Sequence, residues 1–405
     1  MTAAHESIHE STHESAREPR HGPGHTAVRT SPIRTTAPLT DDDIAAALSV
    51  FDSSAIAGPA HPAVEQFEAQ LADHAGVGHA VAVNSGTAAI HCILLAMGIG
   101  PGDEVIVPAH TFIATATPVL MTGATPVVVD VDDVTYCIDP GAAAAAVTAR
   151  TRAIVAVHIN GHPAPVDLLP PGIPVVSDAC QAHGATLFGT QVAALGVAGA
   201  YSFWQDKLIT AGGEGGAVMT TDPELADRVR LLRSHAQQQI PGTPNAHHVM
   251  LGYNYRLTGA QAAIGHSQLT RLPELLRSRR LAAARLTAEL GGIGGIDGIG
   301  LPAERTGARH VYWKYVVSID PDRFRRPLAD LVVALRSEGI AAAPRYPVPL
   351  SRQPVLAGSL ITPCPVAESL SERLVMLPLP ALAQDADDVL DVALAVRKVV
   401  AEHGR

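Results

Sequence analysis

No two cysteines in this sequence stand as CxxC: Cys92, Cys137, Cys180 and Cys364 are scattered along 405 residues. That scatter suits a reducing cytosol and argues against both a disulfide framework and a zinc site. Positive charge is scarce as well. The formal net charge of -10 argues against a nucleic-acid or anionic-membrane surface as the main partner. Local backbone dipoles can still hold an anionic ligand. No uninterrupted apolar run is long enough to span a bilayer, and the first residues lack the apolar core of a signal peptide. A framed dinucleotide fingerprint is missing too. The glycine-rich run Gly291 to Gly300 has no strand–turn–helix with a following acid around it, which disfavours a nicotinamide oxidoreductase. The expectation is a soluble cytoplasmic protein with no membrane or nucleic-acid partner.

What is present is apolar material: 47% hydrophobic residues against 17% charged, enough for a large core. At about 150 residues per domain the length allows two. Residues 1–36 read as a disordered tail rich in His and Ser. His5, His9 and His13 would share one face of a helix there, but nothing in the tail could bury such a helix, and no metal site is assigned. Residues 37–270 are expected to form a large domain and 271–405 a smaller α+β domain.

From Leu39 onward the chain alternates. Thr40-Asp41-Asp42-Asp43 opens a helix with acid at its positive end. Apolar runs at His79–Val83, Val105–Pro108, Pro126–Asp130, Ala153–His158 and Pro174–Ser177 read as strands separated by helical stretches. Repeated strand–helix alternation implies an α/β fold with a mostly parallel sheet, whose ligands bind at the carboxyl ends of the strands. Gln237 to His248 reads as a loop, Gly259–Leu269 and Leu272–Leu290 as successive helices, and Val311–Ile319 and Ala341–Tyr346 as strands.

Several chemically distinctive groups lie just after predicted strands. Ser85-Gly86-Thr87 joins a strand to a helix, so free N–H groups and a positive helix end form an anion cradle. Asp178 ends another strand. Lys207 lies between a short apolar strand and the glycine-rich Gly212-Gly213-Glu214-Gly215-Gly216, where desolvation can make its amine a nucleophile. An aldehyde, a protonated ring nitrogen and a phosphate would meet these groups, and pyridoxal phosphate carries all three. Phe112 is placed to cover a ring face.

In these motifs, with Asp178-Ala179-Cys180-Gln181-Ala182-His183-Gly184-Ala185, Ser202-Phe203 and Gly252-Tyr253-Asn254-Tyr255-Arg256, the sequence resembles the DegT/DnrJ/EryC1/StrS sugar aminotransferases. The resemblance runs from about Leu39 to Val399 and implies fold type I of the pyridoxal phosphate enzymes. It implies that Lys207 forms an imine with the cofactor and shuttles protons. Asp178 would meet the pyridine nitrogen, Gln181 the ring hydroxyl, and Gly86, Thr87 and Ser202 the phosphate. Phe112 would stack on the ring. Asn254 would reach the phosphate of a neighbouring subunit, which implies a homodimer with a shared site. His183 is expected either near substrate or packed against the sheet. Arg256 would orient the Asn254 loop or bind an acidic donor, and Glu214 is a loop residue with substrate contact as the alternative.

The implied reaction moves an amino group from glutamate or glutamine to a keto sugar. The loop Leu208 to Gly216 resembles that of members acting at a sugar 4-keto group or on ketocyclitols more than that of the 3-keto type, so a nucleotide-linked 4-keto-6-deoxysugar is the first expectation. A ketocyclitol of the scyllo-inosose type, or a role like 3-amino-5-hydroxybenzoate synthase, is the alternative. Relatives that dehydrate sugars carry histidine in place of the lysine, so Lys207 favours transamination over dehydration. Retention of both Lys207 and Asp178 disfavours a non-catalytic assembly protein.

Overall fold

The computed structural model describes residues 26–52, 56, 58–291, 296–382 and 386–405. Helix α1 (Asp41–Ser49) opens with a reciprocal cap: Asp43 N donates to Thr40 Oγ1, and Thr40 N donates to the Asp43 carboxylate. Helix α2 (Pro62–Ala75) starts with proline, whose missing N–H costs nothing there, and stops at Gly76 with φ 70°.

The central sheet has eight strands. Label β1 (His79–Val83), β2 (Glu104–Pro108), β3 (Thr125–Val129), β4 (Thr151–Val157) and β5 (Val175–Asp178). The order is β1, Gly216–Thr220, Ala198–Ser202, β5, β4, β2, β3 and Leu360–Ile361. Gly216–Thr220 runs antiparallel to both neighbours, and every other pairing is parallel. The mostly parallel mixed sheet is the expected one. Val105, Ile106, Val107, Ile154, Val155 and Val176 are fully buried. Each contributes about 1.5–3 kcal/mol through removal from water, so strands covered on both faces read as continuous apolar runs. Helix α3 (Gly86–Ala96) is apolar nearly all round because it too is buried.

A second sheet of four strands pairs Ile299–Gly300, Tyr315–Ile319, Leu374–Leu377 and Ala343–Pro344. It packs with helices Leu328–Ser337 and Ala386–His403 around Val317, Leu335, Val375 and Val392.

Several expectations change. Residues 1–25 of the expected tail lie outside the described residues. Its remainder packs: Ile33 joins the smaller core, and the Arg29 guanidinium lies 2.6 Å from Asp388. The two expected helices are one, Gly259–Gly291, which continues through Pro273. A division at residue 270 therefore falls inside a helix. Leu272, Leu275 and Leu276 belong to the core beneath the large sheet, whereas Ala283, Leu286 and Leu290 belong to the smaller one. Burial on both sides holds the helix together across the proline. The Gln237–His248 loop contains a hairpin, Gln237–Gln239 against Ala246–His248. The last two predicted strands shrink to Tyr315–Ile319 and Ala343–Pro344, since Pro344 and Pro347 bracket the residues after the latter.

Candidate active site

The anion cradle forms where β1 turns into α3. Ser85 caps the helix, its Oγ accepting from Ala88 N at 3.1 Å. Gly86 and Thr87 are the first helical residues, so their N–H groups have no acceptor within the helix. A Cβ on Gly86 would lie 2.7 Å from Cys180 Sγ and 2.8 Å from Ser202 Cβ. Glycine alone lets the positive helix end sit this close to Ser202, the last residue of its strand.

Asp178 ends β5 and is buried. Its Oδ2 accepts from Thr115 Oγ1 at 2.8 Å, and its Oδ1 from Cys180 N at 3.2 Å. Thr115 comes from a 3-10 turn, Ile113–Thr115, that Phe112 precedes. The same turn thus orients the carboxylate and presents Phe112, which is 57% exposed and open to a flat ligand.

Lys207 lies in the turn after Ala198–Ser202, with its N–H donated to Trp204 O at 2.9 Å. Its Nζ is 3.9 Å from the centre of the Trp313 ring. Burial lowers its pKa to about 8, and the nearby Arg345 charge acts in the same direction. About a tenth of the amine is then neutral at pH 7, far more than an amine left at 10.5 would offer, and the neutral form is the one that attacks.

Gln181 is held on several sides. Its Oε1 accepts from Asn160 N at 2.8 Å and Arg345 Nη2 at 3.1 Å, and its Nε2 donates to Tyr346 Oη at 3.2 Å. One amide N–H remains for a ligand oxygen. Asn160 reaches this position with φ 56°, a left-handed conformation that asparagine tolerates.

The other expected residues divide. Asn254 is exposed, and its carbonyl accepts from Asn84 Nδ2 at 3.4 Å beside the cradle. Glu214 is exposed on the glycine loop, near enough to Lys207 for their charges to interact. Arg256 donates to Ser234 Oγ at 3.4 Å, next to the Ser234–Asn254 bridge. His183 does not line the opening. It is fully buried, 4.5 Å from the Tyr201 ring and 5.6 Å from that of Phe203, and burial pushes its pKa to about 3. The packed alternative holds for it, because a neutral imidazole fits that aromatic core. Thr115, Asn160, Trp313, Lys314, Arg345 and Tyr346 were not anticipated. The only signal was a Trp–Lys pair ahead of the Tyr315–Ile319 strand.

These groups suit pyridoxal phosphate: an anion cradle that a Cβ would fill, a buried carboxylate at a strand end, a half-buried amine of lowered pKa and an open aromatic face. Fold and site together define a pyridoxal phosphate-dependent aminotransferase. The model of the DegT/DnrJ/EryC1/StrS aminotransferase family matches residues 39–397, and the chain belongs to that family. A curated relative from Acidithiobacillus ferrooxidans, UDP-N-acetyl-3-dehydro-alpha-D-glucosamine 3-aminotransferase, is 39% identical over 91% of this chain and 96% of its own. L-glutamine:2-deoxy-scyllo-inosose aminotransferase of Streptomyces fradiae is 38% identical over 84% of this chain and 86% of its own. The solved structure of S. venezuelae DesV with a ketimine intermediate superposes with a TM-score of 0.83 at 36% identity, over 91% of this chain and 98% of that one. The protein is therefore one of the sugar aminotransferases. No described helix is long and apolar enough to cross a membrane.

Proposed function

We propose that this aminotransferase moves an amino group from glutamate or glutamine to a nucleotide-linked keto sugar. One observation carries the reading: an amine of lowered pKa, Lys207, follows the strand adjacent to the one that ends in the buried Asp178 carboxylate. The bound cofactor supplies an aldehyde and a ring that accepts electrons. Lys207 Nζ would hold that aldehyde until the donor amine displaces it. The freed amine would then take a proton from the donor α-carbon and, in the second half, deliver one to the former carbonyl carbon of the acceptor. Asp178, steadied by Thr115, would keep the ring nitrogen protonated. Gly86, Thr87 and Ser202 would hold the phosphate, Gln181 would meet the ring hydroxyl, and Phe112 would cover the ring. Asn254 of each copy completes the cradle of the other in a homodimer.

The loop Leu208 to Gly216 makes a 4-keto-6-deoxysugar the first acceptor to test. A 3-keto sugar stands beside it, because the A. ferrooxidans relative is named for amination at that position. A ketocyclitol is the second reading, supported by the S. fradiae relative, whose name also supports glutamine as donor. The test is a panel of 3-keto and 4-keto nucleotide sugars and scyllo-inosose, each with glutamate or glutamine, read by mass for the amine. Amination of the cyclitol alone would replace the sugar reading, and no amine from any acceptor would remove both.

A further inference from the structure

The opening around Lys207 gathers cations, two of which, Lys314 and Arg345, have no ion-paired carboxylate among the described residues. Lys207, Lys314 and Arg345 lie 3.9, 4.9 and 5.1 Å from the centre of the Trp313 ring. Arg345 donates to neutral acceptors, Asn160 Oδ1 at 2.8 Å and Gln181 Oε1 at 3.1 Å, and its guanidinium lies 3.9 Å over the Tyr346 ring. A guanidinium has five N–H donors, so others remain available. Among the described residues neither Lys314 nor Arg345 forms an ion pair. Asp206 is near enough for its charge to act on Lys207 and Lys314, but it pairs with neither, and its carbonyl accepts from Trp313 Nε1 at 2.6 Å.

Like charges gathered in a half-buried recess repel one another, and each loses hydration. Burial first, then Arg345 and Arg279, lowers the Lys314 pKa to about 8. With no ion-pair partner for Lys314 or Arg345 among the described residues, an anion from outside would complete the group. Both side chains are only half-buried, so a ligand can reach them. Asn160 sets the pair: its backbone carbonyl accepts from Lys314 N at 3.2 Å and its side chain from Arg345 Nε. That same residue fixes Gln181, so the recess and the cofactor-facing amide share one frame.

We propose that Lys314 and Arg345, over the Trp313 ring, form the seat for the carboxylate of the amino donor. An amino acid carries its carboxylate on the carbon that bears the amine, so a seat beside Lys207 delivers that carbon to the reacting amine. This rests on the amino-donor reading above. A planar fork and a flexible ammonium suit a carboxylate bound by several N–H groups. The other source of negative charge is the diphosphate of a nucleotide sugar.

The test uses holoenzyme and two unreactive probes, glutarate for the carboxylate and UDP for the diphosphate, with affinities measured by calorimetry. Glutarate is expected to bind the native protein. Lys314→Met is expected to weaken it about 10-fold or more, as loss of a charged hydrogen bond does. Lys314→Arg is expected to restore most of that affinity, and UDP binding is expected to stay unchanged. Melting temperature and cofactor content establish that each variant is folded, and Lys314→Gln carries the comparison should the methionine variant fail to fold. Undiminished glutarate binding in the variant, no glutarate binding by native protein, or loss of UDP binding instead would each overturn the seat. Failure of the amino-donor reading looks different: glutamate and glutamine would then leave the absorbance of the native holoenzyme unchanged.

Discussion

Lys207 points its amine at the face of Trp313, with 3.9 Å between Nζ and the ring centre. The indole is anchored in turn, Nε1 donating to the carbonyl of Asp206, the residue before the lysine. A ring face attracts the ammonium form, while burial and Arg345 favour the neutral amine. Burial is the largest influence, and the outcome is a pKa near 8 rather than 10.5.

Capture of added pyridoxal phosphate by the apoprotein should therefore rise with pH, because only the neutral amine attacks, with its midpoint near 8. Arg345→Gln removes a neighbouring positive charge, so ammonium becomes easier to keep and the midpoint moves upward. Stopped-flow absorbance across pH measures both. A native midpoint at 10.5 would contradict the geometry.

Asp178 and Thr115 should separate in size of effect. Asp178→Asn removes the charge opposite the ring nitrogen, and turnover should fall by at least ~10²-fold, in the range of an essential catalytic group. Thr115→Val removes one hydrogen bond of 2.8 Å and keeps the shape. Its cost should be about 1.5–3 kcal/mol, as for a hydrogen bond to a charged group, read as roughly ten- to a hundredfold weaker cofactor retention on dialysis. Equal effects from the two variants would mean that Thr115 does more than orient the carboxylate.

Gly86→Ala should damage the cradle by steric conflict alone. The added methyl would meet Cys180 Sγ and Ser202 Cβ at under 3 Å, and such overpacking costs about 1–3 kcal/mol. Thermal denaturation should show the loss in apoprotein as well as holoprotein. Smaller loss in Gly86→Ala, Cys180→Ala would identify the sulfur as the obstacle.

Shared sites predict complementation. Lys207→Ala and Asn254→Ala should each be poorly active alone, and mixing them under conditions that exchange subunits should recover activity through hybrids with one intact site. No recovery, with exchange verified by mass, would show that Asn254 serves its own subunit.

The motif residues were legible because their surroundings are local. A strand, a small-residue turn and a capped helix announce the cradle around Ser85 within a few positions, and Asp178 is the last residue of an apolar strand. Lys207 was marked by the strand before it and the glycines after it. The choice for His183 was not legible, since the same residue could face the opening or the core. Packing of Tyr201 and Phe203 on the underside of the sheet decided it.

By itself, then, the sequence determined the strand–helix alternation, the parallel sheet and the groups at its strand ends, because each follows from neighbours along the chain. Only the tertiary structure brought Trp313, Lys314 and Arg345 to Lys207. Their meeting depends on a helix whose first part packs beneath one sheet and whose last part packs beneath the other. It also depends on Asn160 accepting a left-handed φ to bond across the gap. Contacts between segments so far apart in the chain are set by how the layers pack, and no local pattern of residues carries that information.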